Sequence, residues 1–198
     1  MSNSTHRVLL IDCGSRKFGE LCALTAACGH AWDRLALAEA RATADWPWDA
    51  ILISGGPHLF TDPAQAPALR QWFSFLEQET PPVFGICLGF QAIALTAGGR
   101  IYRGPERRSS DQIEFTGSHP LLAGLTSGTE FQEDHCEGVL LPPSMQRLGH
   151  SQHYPVEIGA DDVRRRYGVQ FHPEISSAPG LQIVCNFFQI AAKSAGQR

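Results

Sequence analysis

The sequence contains no CxxC pair and no Cys/His grouping at zinc spacing, although it holds six cysteines. A zinc ribbon or finger is thereby excluded, and neither a metal nor another cofactor is expected. No stretch of about 18 apolar residues occurs, so no bilayer-spanning helix is expected. The segment from Met1 to Ile11 has only a short apolar run and no small-residue cleavage site, so a secretory signal is not expected. There is no G-x-x-x-x-G-K-[ST] loop to cradle a nucleotide phosphate. Repeats and low-complexity tracts are lacking too. Charge is sparse: 18% of residues are Asp, Glu, Lys or Arg, and the net charge is −4, which argues against nucleic acid or an anionic membrane as partner. Without an export signal, the cysteines are read as thiols of a cytoplasmic protein, most of them small core residues.

What the sequence does have is apolar residues in short blocks. They make up 43% of 198 residues, enough for a substantial core, and one domain over 1–198 is expected. Arg7-Val-Leu-Leu-Ile-Asp12, Trp48-Asp-Ala-Ile-Leu-Ile-Ser54 and Pro82-Val-Phe-Gly-Ile86 read as strands buried on both faces. Helical stretches follow over 18–28, 68–78 and 89–97. Strand and helix in alternation predict a doubly wound, flavodoxin-like α/β fold: a mostly parallel sheet with helices on both faces. After Gly99 the pieces become short and β-like, as in Gln112–Phe115 and Arg166–Phe171, predicting a small antiparallel extension. A closing helix is expected over 180–192.

Three strands end in unusual turns: Asp12-Cys-Gly-Ser15, Ser54-Gly-Gly-Pro57 and Gly85-Ile-Cys-Leu-Gly89. In a parallel sheet these turns share one edge, where ligands bind. Gly85-Ile-Cys-Leu-Gly89 has the spacing of a nucleophile elbow with cysteine at its centre. A thiol at a helix start is favoured as thiolate, and the N–H of Leu88 would face a developing oxyanion. The pentapeptide alone fits a buried cysteine in an ordinary turn equally well. A nucleophile needs a base and an orienting group. Of eight histidines, His172 stands at a strand end, with Pro173 fixing the chain and Glu174 two residues on. The plain alternative is a loop histidine beside a solvated glutamate.

Gly85-Ile-Cys-Leu-Gly-Phe-Gln-Ala92 and Tyr167-Gly-Val-Gln-Phe-His-Pro-Glu174 resemble the two signatures of class I, triad-type glutamine amidotransferases. Ile53-Ser-Gly-Gly-Pro57 resembles that family's oxyanion strand, and the resemblance spans nearly the whole chain. It implies Cys87 as nucleophile, His172 as base and Glu174 as its orienter. It implies an oxyanion hole from the backbone of Gly56 and Leu88, and glutamine held by Gly55, Gln91 and the backbone around His135 and Cys136. Asp12-Cys-Gly-Ser15 and Asp134-His-Cys-Glu-Gly-Val139 resemble the GMP synthase branch, although Glu137 stands where Asp is usual. The S-G-G-x-D-S loop of an ATP pyrophosphatase module is missing, which implies that the ammonia acceptor is a separate synthase or ATP-dependent ligase subunit. A γ-glutamyl peptidase or hydrolase on the same fold, or a non-catalytic homologue that binds a partner, are the rival readings. Arg103, Arg107, Arg108 and Arg164-Arg-Arg166 are either docking charges or solvated loop residues.

Overall fold

The computed structural model describes residues 7–43, 45–78 and 80–195. Chain order is β1 (Arg7–Asp12), α1 (Phe18–Ala27), β2 (Ala31–Ala36), α2 (Leu37–Ala40), β3 (Ala50–Ile53), α3 (Ala66–Trp72), β4 (Val83–Ile86) and α4 (Leu88–Thr96). Then come β5 (Arg100–Arg107), β6 (Ser110–Phe115), β7 (Thr129–Gln132), β8 (His135–Leu140), β9 (Gln146–His150), β10 (Ile158–Asp161), β11 (Arg166–Val169) and α5 (Ser177–Ala195).

Side chains alternate across a strand, so one apolar run serves two cores. Val8 and Leu10 of β1 point to a core shared with α1 and α5, where Leu21, Leu24, Ile183 and Phe187 lie. Leu9 and Ile11 point the other way, to Leu37, Leu69, Phe90 and Ile93 of α2, α3 and α4. The sheet order is β2-β1-β3-β4-β11-β10-β9-β6-β7. The members from β2 to β11 run parallel, and β10, β9, β6 and β7 add antiparallel. This is the expected doubly wound arrangement with its antiparallel extension. β5 and β8 form a separate two-stranded ribbon, bulged between Arg103 and Arg107.

The antiparallel half curls. Although β7 is last in the order, the His172 N–H after β11 donates to the Gln132 carbonyl at 2.8 Å. The Gln132 N–H donates to Ser176 Oγ at 3.0 Å. Within the curl the Phe131 and Phe171 rings stack, 4.0 Å between centroids.

Four local expectations change. β2 is an edge strand with mostly exposed residues, and no apolar run marks it. The helix expected over 68–78 ends at Trp72 and tightens into a 3₁₀ turn, Phe73–Glu77, that buries Phe73, Phe75 and Leu76. Arg166 leaves its basic run for the interior, donating to the carbonyls of Pro81, Arg164 and Gln78. The cysteines are not all thiols: a disulfide joins Cys28, at the end of α1, to Cys185 of α5. Those helices share one face of the sheet, which a sequence separation of 157 conceals. Among the described residues no helix is long and apolar enough to cross a membrane.

Candidate active site

Cys87 sits between β4 and α4 with φ 49°, a left-handed conformation that side-chain-bearing residues avoid. The flanking glycines make that turn possible. A Cβ on Gly85 would lie 2.4 Å from the Gly89 carbonyl carbon, and one on Gly89 would lie 2.7 Å from the Ile53 carbonyl oxygen. The Cys87 N–H donates to the Val169 carbonyl at 2.8 Å, which ties the elbow to β11. Cys87 is buried at 6% exposure.

His172 follows β11 by three residues and is 3% exposed. Its Nδ1–H donates to Glu174 Oε1 at 2.7 Å, leaving the other ring nitrogen for the Cys87 thiol. Burial opposes charge on this ring. Hydrogen bonds to Cys87 and Glu174, and their negative charge, outweigh it and push the pKa up to about 10. The ring is therefore set as imidazolium beside the Cys87 sulfur. Gly55 packs against both groups: a Cβ there would lie 2.9 Å from His172 Cε1 and 3.5 Å from Cys87 Cβ.

Gly56 faces Leu88, since a Cβ on it would meet Leu88 Cδ2 at 2.9 Å. A cleft of about 470 Å³ opens here, lined by Gly56, Cys87, Gln91, His135, Cys136 and His172 among others. Gln91 is buried one helical turn beyond Cys87, and its Nε2 donates to Gln170 Oε1 at 3.4 Å. Thus six of the nine residues singled out in the sequence line this cleft, while Gly55 packs behind Cys87 and His172, Leu88 lies against Gly56, and Glu174 lies behind the imidazole. Glu137 does not face open cleft alone. Its carboxylate accepts the N–H groups of Phe60 and Thr61, holding the loop after β3 against β8.

Sequence reasoning missed the cleft rim and a buried group behind it. Asp134 bridges Lys17 and Arg108 across the rim. Glu133, His135 and Glu157 lie together in the interior. Burial, then repulsion from Asp111, pushes Glu133 up to about 8, and burial followed by the charge of Glu133 drives Glu157 well above its usual range. Burial pushes His135 down. His135 lies in the Asp134–Val139 segment, but no motif marks Glu133 beside it or Glu157, 24 residues further on.

Residues 9–191 match the family Glutamine amidotransferase class-I. The chain belongs to this family. Among curated relatives of this amidotransferase chain, the GMP synthase [glutamine-hydrolyzing] of Thermus thermophilus is 35% identical over 145 residues, 72% of this chain and 28% of that protein. The chain thus spans under a third of that relative's length. A GMP synthase [glutamine-hydrolyzing] subunit of Methanosarcina mazei is 31% identical over 72% of this chain and 73% of its own. A crystal structure of a candidate GMP synthase subunit from Thermoplasma acidophilum superposes with TM-score 0.88 at 21% identity, covering 99% of this chain and 98% of that one. That likeness speaks for the fold of the amidotransferase.

Proposed function

We propose that this chain, as one amidotransferase domain over residues 1–198, hydrolyses the side-chain amide of glutamine and hands the ammonia to a separate synthase subunit. The observation that carries the reading is the buried line Cys87–His172–Glu174 at the mouth of the cleft, with the Glu174 contact at 2.7 Å. The Cys87 thiolate attacks the amide carbon. Charge moves to the oxygen, where the backbone N–H groups of Gly56 and Leu88 stabilise it. Imidazolium His172 gives its proton to the departing nitrogen, ammonia leaves, and a γ-glutamyl thioester remains. Neutral His172 then takes a proton from water, the water oxygen attacks the thioester, and glutamate and thiolate are released. Glu174 keeps the ring oriented throughout. Gly55, Gln91, His135 and Cys136 form the glutamine-side wall. The acceptor is read as a GMP-synthase-type subunit, because one relative is itself one subunit of such an enzyme and the others are GMP synthases.

The test is ammonia and glutamate release from glutamine, with and without such a synthase. Cys87→Ala should lower glutamine-dependent turnover by at least about 10³-fold, while the synthase with this variant still works on added ammonium. Undiminished ammonia release by Cys87→Ala would sink the assignment. Faster cleavage of a γ-glutamyl peptide than of glutamine would turn it into a γ-glutamyl hydrolase.

A further inference from the structure

Glu133, His135 and Glu157 are 3%, 7% and 0% exposed, and the amide chemistry uses none of their side chains. Glu133 follows β7, His135 opens β8 and Glu157 precedes β10, so the β7–β8 connection and the segment before β10 converge. One ligand-type atom from each lies within 4.8 Å of the other two. The tautomer of His135 follows from its partner. Nδ1 lies 2.9 Å from the Glu137 carbonyl oxygen, which only accepts, so Nδ1 carries the proton and Nε2 presents a lone pair. That lone pair faces Glu133 Oε2 at 2.9 Å.

The group is short of donors. Among the described residues, His135 Nε2, both oxygens of Glu133 and Glu157 Oε2 are buried without a hydrogen-bond partner. The remaining oxygen of Glu157 accepts from Ser151 Oγ at 2.7 Å. Two buried carboxylates and an imine nitrogen all point lone pairs at one place. Left ionised, the pair would cost several kcal/mol, so burial drives both carboxyls toward the protonated form, and the nearby Arg107 is held by Asp111 at 2.7 Å.

We propose that Glu133, His135 and Glu157 form a binding site for one divalent first-row transition-metal ion, of the zinc or manganese kind. Two carboxylates neutralise its charge, and the nitrogen favours such an ion over calcium or magnesium. Donors about 2.1 Å from one ion stand at most about 4.2 Å apart, so small rotations close the set. The Glu137 carbonyl on His135 and the Ser151 hydroxyl on Glu157 are the outer hydrogen bonds that orient such ligands. The ion would lock β7, β8 and the segment before β10 together, behind the His135–Cys136 wall of the cleft. It takes no part in amide cleavage, so the site stands whether or not glutamine is the substrate.

The test uses the full chain carrying Cys87→Ala, which removes the thiol–imidazole pair as a competing metal site. After chelator treatment, Zn²⁺ and Co²⁺ are added, followed by calorimetry, cobalt absorption and thermal melting. One ion per chain is expected, with a rise in melting temperature. Glu133→Gln and Glu157→Gln should each weaken binding at least tenfold and abolish that rise. Both metal-free variants should melt no lower than the parent, because a neutral amide replaces a carboxyl that burial already holds toward its neutral form; that melting separates lost ligation from lost folding. No uptake, or uptake that neither substitution changes, overturns the site and leaves the cluster a store of protons.

Discussion

Residue 172 holds a positive charge inside the protein, and that has a consequence in pH. The ordinary histidine value of 6.5 is raised to about 10 by Cys87 and Glu174 against the opposing effect of burial. A raised folded-state pKa means that the stabilising contribution is complete below the unfolded value of about 6.5. It is lost as pH climbs through about 10. Stability to urea should therefore decline across that alkaline window. Glu174→Gln removes the Glu174 charge and brings the folded value back toward 6.5, so the decline should be smaller and finish at lower pH, and turnover should fall on the order of 10²-fold or more. A variant with unchanged alkaline stability and unchanged turnover would remove Glu174 from its orienting role. The geometry of the candidate site was largely legible because each of its parts is written in neighbouring residues. Gly85 and Gly89 announce the strained Cys87, and Pro173 places Glu174 within reach of His172. Glu133 and Glu157 were illegible for the converse reason: they meet only through the curl of strands, and each alone looks like an ordinary surface glutamate.

Elements, too, were readable where they are buried on both faces. β1, β3 and β4 are continuous apolar runs, and each is fully or almost fully interior. β2 escaped notice because its partner β1 lies on one side only and its outward residues are exposed. Helix α4 illustrates what sequence pattern cannot supply, namely close packing. Phe90 lies so near the sheet that a Cβ on Gly168 of β11 would stand 2.3 Å from its Cδ2, and one on Gly159 of β10 2.9 Å from its Cζ. These glycines set the height of α4, and hence of Cys87, above the sheet. Gly168→Ala should destabilise the protein by about 1–3 kcal/mol through overpacking, seen as a lower urea midpoint at constant slope. Combined with Phe90→Ala it should cost less than the sum of the two, since the new methyl enters vacated space. Strict additivity would show that the ring and Gly168 do not set each other's position.

At the scale of the molecule, the parallel half presents Cys87 and the antiparallel half stands behind His172. Sequence pattern foretold both halves but not how the second closes, because the closing contact joins residues 40 apart through one backbone bond, from His172 to Gln132. The disulfide between Cys28 and Cys185 was hidden by distance in the same way. Closure also gives the His172 amide a use as a clock. It exchanges its hydrogen with solvent only when the end of β7 swings clear, so its exchange rate counts openings of the strand ring as felt at His172. Ser176 Oγ accepts the Gln132 N–H and donates to the His172 carbonyl at 2.7 Å. Ser176→Ala should therefore speed exchange at His172 and Gln132 about fivefold, the worth of roughly 1 kcal/mol, and leave the amides of β1 unchanged. Equal acceleration in β1 would mean that the two halves open as one. Unequal acceleration would mean that His172 samples solvent on a faster timescale than the sheet that carries Cys87, so that the lifetime of the assembled Cys87–His172 pair is set by the ring and not by the elbow.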